Sequence, residues 1–190
     1  GKQEKFDRYI KIGNDIITWA FGHILELCEP EEYDEKYSKW NLADLPFEIN
    51  DFKYKPKEKS KAQLKAIIKL INDNQITEIV NCGDYDEEGQ ILIDEIIIYS
   101  KTKKPVKRML LQDITEAGIK KSLKDLRPNS DFKGMSDSGF ARSQADWLVG
   151  LNLTRAYTIK ARQQNAMNIK VLSVGRVQTP ILGLIVSRDK

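Results

Sequence analysis

The feature that most constrains this chain is a change of hydrophobic period across a short acidic turn. Ile76 to Cys82 is a β-branched apolar run that stops at Gly83, and from Gly89 to Tyr99 the apolar residues return at helical spacing. Between them stands Gly83-Asp84-Tyr85-Asp86-Glu87-Glu88-Gly89. A buried strand feeding a helix through a tight turn is half of a βαβ unit, and the flanks repeat the alternation. Leu64, Ile67, Ile68 and Ile71 fall at helical spacing after Lys61, with lysines on the opposite face. Val106 to Leu111 is a second apolar run, and Thr115 is placed to cap a helix holding Ile119, Leu123 and Leu126. Helix, strand, helix, strand, helix predicts an α/β fold, an open parallel sheet with helices on both faces. Arg127-Pro128-Asn129-Ser130 ends the unit, and a domain boundary is expected near Asn129.

Elsewhere the pattern is simpler. Tyr9 to Trp19 holds two β-branched stretches around Gly13-Asn14-Asp15, which predicts a hairpin, whereas Pro30 to Pro56 lacks a period and predicts an irregular excursion. Ser138 to about Gln164 favours one long helix or two, so the second domain is expected to be mainly α-helical. With 41% hydrophobic residues in 190 the chain can fill a core, and no apolar run reaches the roughly 20 residues that span a bilayer. A soluble protein without membrane association is expected. Two cysteines and one histidine cannot complete a typical four-ligand zinc site, which fits a reduced, cytoplasmic home. Gly1 in the first position, and an apolar helical stretch from Leu182 to Lys190, predict that both ends are cut from something longer.

The net charge of +3 is small, but it is unevenly distributed. Acids crowd Asp84 to Glu88, while the last third carries Arg142, Arg155, Lys160, Arg162, Lys170, Arg176 and Arg188. Such polarity suits a metal site and a polyanion groove. In an extended turn Asp84 and Asp86 project to the same side, where two hard oxygen ligands can share one Mg²⁺, with Glu88 completing the set or standing behind it. The bland alternative is that these acids only complement the dipole of the following helix.

On a helix through Ala141 to Ala161, Arg155 and Arg162 are seven apart, on one face, able to reach separate phosphates. Trp147 shares that side and offers a ring for a base to stack on, the recipe of a single-stranded DNA surface. The alternative makes Trp147 a core residue and the arginines a solvated face. Arg142 and Asp146, four apart, predict a salt bridge, with DNA contact as the other use of Arg142. Ser173, Val174, Gly175, Arg176, Val177 and Gln178, ahead of Thr179-Pro180, form a polar turn able to donate hydrogen bonds to phosphate, and Pro180 is expected in the first turn of a closing helix.

These blocks together are recognisable. ITWAFGHILEL (Ile17 to Leu27), KWNLADLP (Lys39 to Pro46), GDYDEEGQ (Gly83 to Gln90), and ADWLVGLNLTRAYT (Ala145 to Thr158) with LSVGRVQTP (Leu172 to Pro180) resemble the type IA DNA topoisomerases along nearly the whole chain, nearer to the bacterial topoisomerase III branch than to topoisomerase I. The resemblance implies that residues 1–128 are most of a Toprim domain, without its N-terminal strand and that strand's acidic ligand, and that residues 129–190 begin a helical domain gripping single-stranded DNA. It implies Mg²⁺ on Asp84 and Asp86 with Glu88 nearby, and DNA contacts at Trp40, Trp147, Arg155, Arg162 and Ser173 to Gln178. It also implies ATP-independent strand breakage through a 5′-phosphotyrosyl bond, with no nucleotide cofactor. None of the seven tyrosines matches the family's nucleophile, so no catalytic tyrosine is assigned. His23 is expected to be structural, and Glu87 stands where the family usually has a basic residue. Rival readings are another Toprim enzyme, a primase or OLD-like nuclease, which would lack the SVGRVQTP block, or a single-stranded DNA-binding module without catalysis.

Overall fold

The computed structural model describes residues 2–164 and 170–189. β1 (Gln3–Lys5), β2 (Tyr9–Ile12) and β3 (Asp15–Thr18) form an antiparallel sheet in that order. Ile12 pairs with Asp15, so Gly13 and Asn14 are a two-residue loop, and Gly13 alone of the two takes a positive φ, +62°, as in a type II′ turn. The expected hairpin is therefore present. β1 was illegible because Gln-Glu-Lys has no apolar residue and is exposed throughout. β4 (Leu25–Leu27) and β5 (Tyr54–Pro56) form a two-stranded sheet, and the excursion between them contains short 3₁₀ turns at Pro30–Glu32, Glu35–Ser38 and Leu42–Asp44.

The alternation read from the sequence follows: α1 (Lys61–Ile71), β6 (Ile79–Asn81), α2 (Glu87–Ser100), β7 (Val106–Arg108) and α3 (Glu116–Lys124). β6 is shorter than its apolar run because the Ile76 N–H closes a turn onto the Asp73 carbonyl instead of joining a ladder. β6 and β7 are parallel, with Asn81 opposite Arg108. β8 (Arg127–Pro128) then joins β7 antiparallel, so the sheet is mixed rather than wholly parallel. Pro128, which has no N–H to give, is tolerated there because β8 is an edge strand. Thr115 caps α3 through its hydroxyl, which accepts from the Gly118 N–H at 3.2 Å. One helix, α4 (Lys133–Gln163), occupies the stretch where one or two were expected, and α5 (Gln178–Arg188) closes the described chain, with Pro180 in its first turn. Lys190 lies outside the described residues. No helix among the described residues is long and apolar enough to cross a membrane.

The chain divides into two compact units, Gly1–Glu26 with Tyr54–Phe140 and Leu27–Lys53 with Ala141–Lys190. In the first, Ile24, Leu25, Leu64, Ile67, Ile71 and Ile96 form the core, with Ala20, Tyr54, Ile68 and Ile79 packed on it. Each such burial stabilises by about 1.5–3 kcal/mol. In the second, Tyr37, Phe47 and Ile49 are buried against Tyr33, Leu45, Phe52, Trp147, Leu148 and Leu151. These units do not follow a single cut near Asn129. The aromatic residues of the aperiodic excursion find their partners on α4, and the Phe47 N–H donates to Asn152 Oδ1 at 2.8 Å, so residues 27–53 fold with the later helix.

Candidate functional site

The acidic turn is held shut by its glycines. A Cβ on Gly83 would lie 2.2 Å from the Gly89 carbonyl oxygen, and one on Gly89 would lie 2.4 Å from the Asp84 carbonyl oxygen, so no larger residue fits either place. Asp86 is the N-cap of α2, extended at φ −148°, and its Oδ1 accepts from the Gly89 N–H at 2.6 Å. Asp84, Tyr85 and Asp86 are exposed.

Beneath the turn lies a fully buried cation. Arg108, the last residue of β7, donates from Nη1 to the Gly83 carbonyl at 2.6 Å and from Nη2 to the Asp84 carbonyl at 2.6 Å. Asn81, opposite it on β6, accepts from the Gly83 N–H at 2.9 Å. Burial pushes the Arg108 pKa below its ordinary value, and Asp94, Cys82, Asp84 and Asp86 push back. Asn81 continues into a buried polar network: Asp94 accepts from Gln90 and from Asn129, each at 2.9 Å. Arg108 was not singled out from the sequence. Its signal was a basic residue at the end of the strand neighbouring the one that delivers the acids.

His23 and Glu88 are joined. His23 Nδ1 lies 2.9 Å from Glu95 Oε2 and Nε2 lies 2.7 Å from Glu88 Oε1. The bond to Glu95 raises the His23 pKa from 6.5 to about 9, against the effect of burial, and Glu88 adds to the rise. A doubly donating imidazolium therefore holds Glu88, where the sequence reading placed that carboxylate beside the metal pair. Glu87 accepts from Ser138 Oγ at 2.7 Å, so the acid standing in the basic residue's place ties the start of α4 to α2.

Asp84 and Asp86 are the two carboxylates of the turn that stay exposed as candidate metal ligands. Among the described residues no group of three or more His, Cys, Asp or Glu side chains is arranged to hold an ion. Two hard carboxylates still match what Mg²⁺ takes from a protein when waters and a phosphate oxygen fill the rest. The residues present fit such an ion.

The basic residues are disposed differently. Arg155 is 5% exposed, donates to the Tyr37 carbonyl at 2.5 Å and to Glu31 at 3.4 Å, and lies over the rings of Phe47 and Trp40, 4.8 and 5.1 Å from their centroids. It is a buried cation whose hydrogen bonds and ring contacts lie inside its own unit. Burial lowers its pKa, opposed by Glu31 and Glu29. Trp147, half-buried, packs on Tyr33 and Phe52, 6.3 and 6.1 Å between centroids, as the core reading expected. Asp146, expected to pair with Arg142, is taken by Arg176 through two bonds of 2.7 and 3.0 Å.

Trp40, Arg142 and Arg162 keep an outward surface. Trp40 is 37% exposed, and the exposed Arg162 lies 5.8 Å from its ring centroid while donating to the Lys170 carbonyl. The Ser173 to Gln178 segment is pinned from below. Thr158 Oγ1 accepts from the Leu172 N–H and Thr154 Oγ1 from the Val174 N–H, each at 2.9 Å, while the Gly175 N–H goes to Thr179 at 3.0 Å. The N–H groups of Val174 and Gly175 are thus spent within the chain. Ser173, Arg176, Val177 and Gln178 are exposed. Thr154 and Thr158, one helical turn apart, were read only as part of a motif.

Comparison with known proteins agrees with this layout. The Toprim domain model matches residues 2–114, and a DNA topoisomerase model matches residues 130–190. The chain belongs to the Toprim family, and the resemblance to type IA topoisomerases is borne out. It is 46% identical over 180 residues to DNA topoisomerase 3 of Vibrio cholerae, covering 93% of this chain and 27% of that protein. It is 44% identical over 191 residues to the proteins of the same name from Haemophilus influenzae and Salmonella typhimurium, covering 98% of this chain and 29% of each. The chain thus spans less than a third of the length of these relatives.

Proposed function

We propose that this chain is the metal-binding and strand-holding part of a type IA topoisomerase of the topoisomerase III kind. The observation that carries the reading is the succession, in one chain, of an acidic Toprim turn and a DNA topoisomerase segment, matched together by relatives of one name. The substrate is single-stranded DNA, cleaved through a 5′-phosphotyrosyl bond without a nucleotide cofactor, and the tyrosine comes from outside these residues. Asp84 and Asp86 would hold Mg²⁺, which when bound supplies charge stabilisation at a phosphate oxygen. Trp40 and Arg162 offer a ring and a guanidinium to the strand, and the exposed side chains of Ser173, Arg176 and Gln178 offer hydrogen bonds to its backbone. A cytoplasmic setting fits the free thiols of Cys28 and Cys82.

The test has two arms. Calorimetry on this chain should show Mg²⁺ binding that Asp84→Asn with Asp86→Asn abolishes. The chain, exchanged for the corresponding segment of the Vibrio cholerae relative, should support relaxation of supercoiled plasmid, and the double variant should not. Full relaxation by the double variant would overturn the assignment of the acids.

A further inference from the structure

We infer that Arg108 is the positioning residue of the acidic turn: its guanidinium sets the direction in which Asp84 presents its carboxylate. The inference rests on the metal reading above for its purpose, but its geometry stands by itself. The Gly83 carbonyl belongs to the peptide plane before the Asp84 Cα, and the Asp84 carbonyl to the plane after it. Because each peptide is planar, holding both oxygens fixes φ and ψ of Asp84 together, and so its Cα–Cβ direction. Arg108 holds both, at 2.6 Å each, from two different nitrogens of one rigid fork. A lysine ammonium on a flexible stem has no such fork.

The rest of the surroundings argue that this is what the charge is there for. Arg108 is 0% exposed, and its further bonds go to the Asn81 carbonyl at 3.2 Å, Asn81 Oδ1 at 3.3 Å and the Met109 carbonyl at 3.2 Å. None of its hydrogen bonds goes to a carboxylate, and Nε is without a partner. Burying a cation without a direct ion pair is expensive, and a packed apolar residue would fill the place at lower cost. What an apolar residue cannot do is hold two consecutive carbonyls. The Asn81 amide oxygen, which takes both the Gly83 N–H and Arg108 Nη1, makes the cradle continuous with β6. The turn is thereby attached to two parallel strands.

The experiment is nuclear magnetic resonance on this chain together with Mg²⁺ calorimetry. In the unsubstituted chain the Arg108 Nη–H protons should appear as separate, slowly exchanging signals; averaged signals would overturn the clamp without any substitution. In Arg108→Lys, the three-bond coupling that reports φ of Asp84 should move to an averaged value and the amides of Asp84 to Asp86 should gain fast motion, while Ile79 to Asn81 keep their order. An unchanged Asp84 coupling in the folded variant would likewise overturn it. Mg²⁺ affinity should fall about tenfold in Arg108→Lys, as for other residues that orient metal ligands. Leu64→Ala, a core truncation in the same unit, should lower stability and leave Mg²⁺ affinity unchanged; an equal loss in both would reduce Arg108 to a general stabiliser. If the unsubstituted chain binds no Mg²⁺, the metal reading fails, and the Asp84 coupling still decides the clamp.

Discussion

The acidic turn and the basic face of α4 carry opposite charges and treat them in opposite ways. At the turn, Asp84 and Asp86 stay exposed while a buried arginine and asparagine hydrogen-bond the backbone beneath them. On α4 and its loop two of the cations are engaged from within: Arg155 by Tyr37 and two rings, Arg176 by Asp146. The difference follows from side-chain length. A short aspartate reaches no farther than the turn itself, as Asp86 does in capping α2 through the Gly89 N–H, whereas arginine's long apolar stem and planar head pack readily against aromatic residues. The surroundings of a short acid at a turn are therefore easier to read from sequence than those of an arginine on a helix.

The largest effect expected from this contrast is at Arg155. Arg155→Ala should lower the stability of its unit by about 3 kcal/mol, because it removes a buried cation and strands the Tyr37 carbonyl and the Trp40 and Phe47 rings around a void. Trp147→Ala should cost about 2 kcal/mol by removing the ring that Tyr33 and Phe52 pack against. Urea unfolding measures both. If Arg155→Ala kept the parent midpoint and instead weakened binding to single-stranded DNA, Arg155 would belong to the surface and the contrast would collapse.

The two regions were also unequally legible in the sequence. The strand, turn and helix around Asp84 announced themselves because period, glycine placement and capping all pointed the same way. What lay under the turn did not, since the Arg108 to Asp84 bond joins residues 24 apart through a parallel register that no local pattern states. The same reason hid the second unit. Tyr37, Phe47 and Phe52 show no period because they sit in 3₁₀ turns and loops, and only the fold reveals that they meet Trp147. The pairing of Glu88 with His23, 65 residues apart, is of this kind too.

A smaller effect separates the two acids of the helix start from the two of the turn. His23 has a folded pKa of about 9 against 6.5, so its protonated, bridged state contributes stability that is full below about pH 6.5 and is lost as pH rises through 9. Solvent reaches the ring and Glu88, and after that screening the contribution should be about 1 to 2 kcal/mol. Melting temperature should fall between pH 6.5 and 9 for the parent chain, and that fall should be absent in His23→Gln. An equal decline in both would assign it to other groups.

The smallest effect concerns Arg162 and asks whether the basic face retains any strand-holding charge. Its guanidinium is exposed and lies near the half-open Trp40 ring, so it is placed to neutralise one phosphate beside a stacked base. Each phosphate contact on a single strand releases counterions, so Arg162→Ala should flatten the slope of log affinity against log salt by about 0.7. Arg176 should change that slope less, because Asp146 already neutralises it through two hydrogen bonds, and Asp146→Asn should bring the Arg176 contribution out. Arg155→Ala should leave the slope alone in whatever fraction stays folded. Fluorescence anisotropy on a labelled single-stranded oligonucleotide across a salt series gives all four numbers. Equal slopes for the parent and Arg162→Ala would leave Trp40 without its cation and move the strand away from this end of α4.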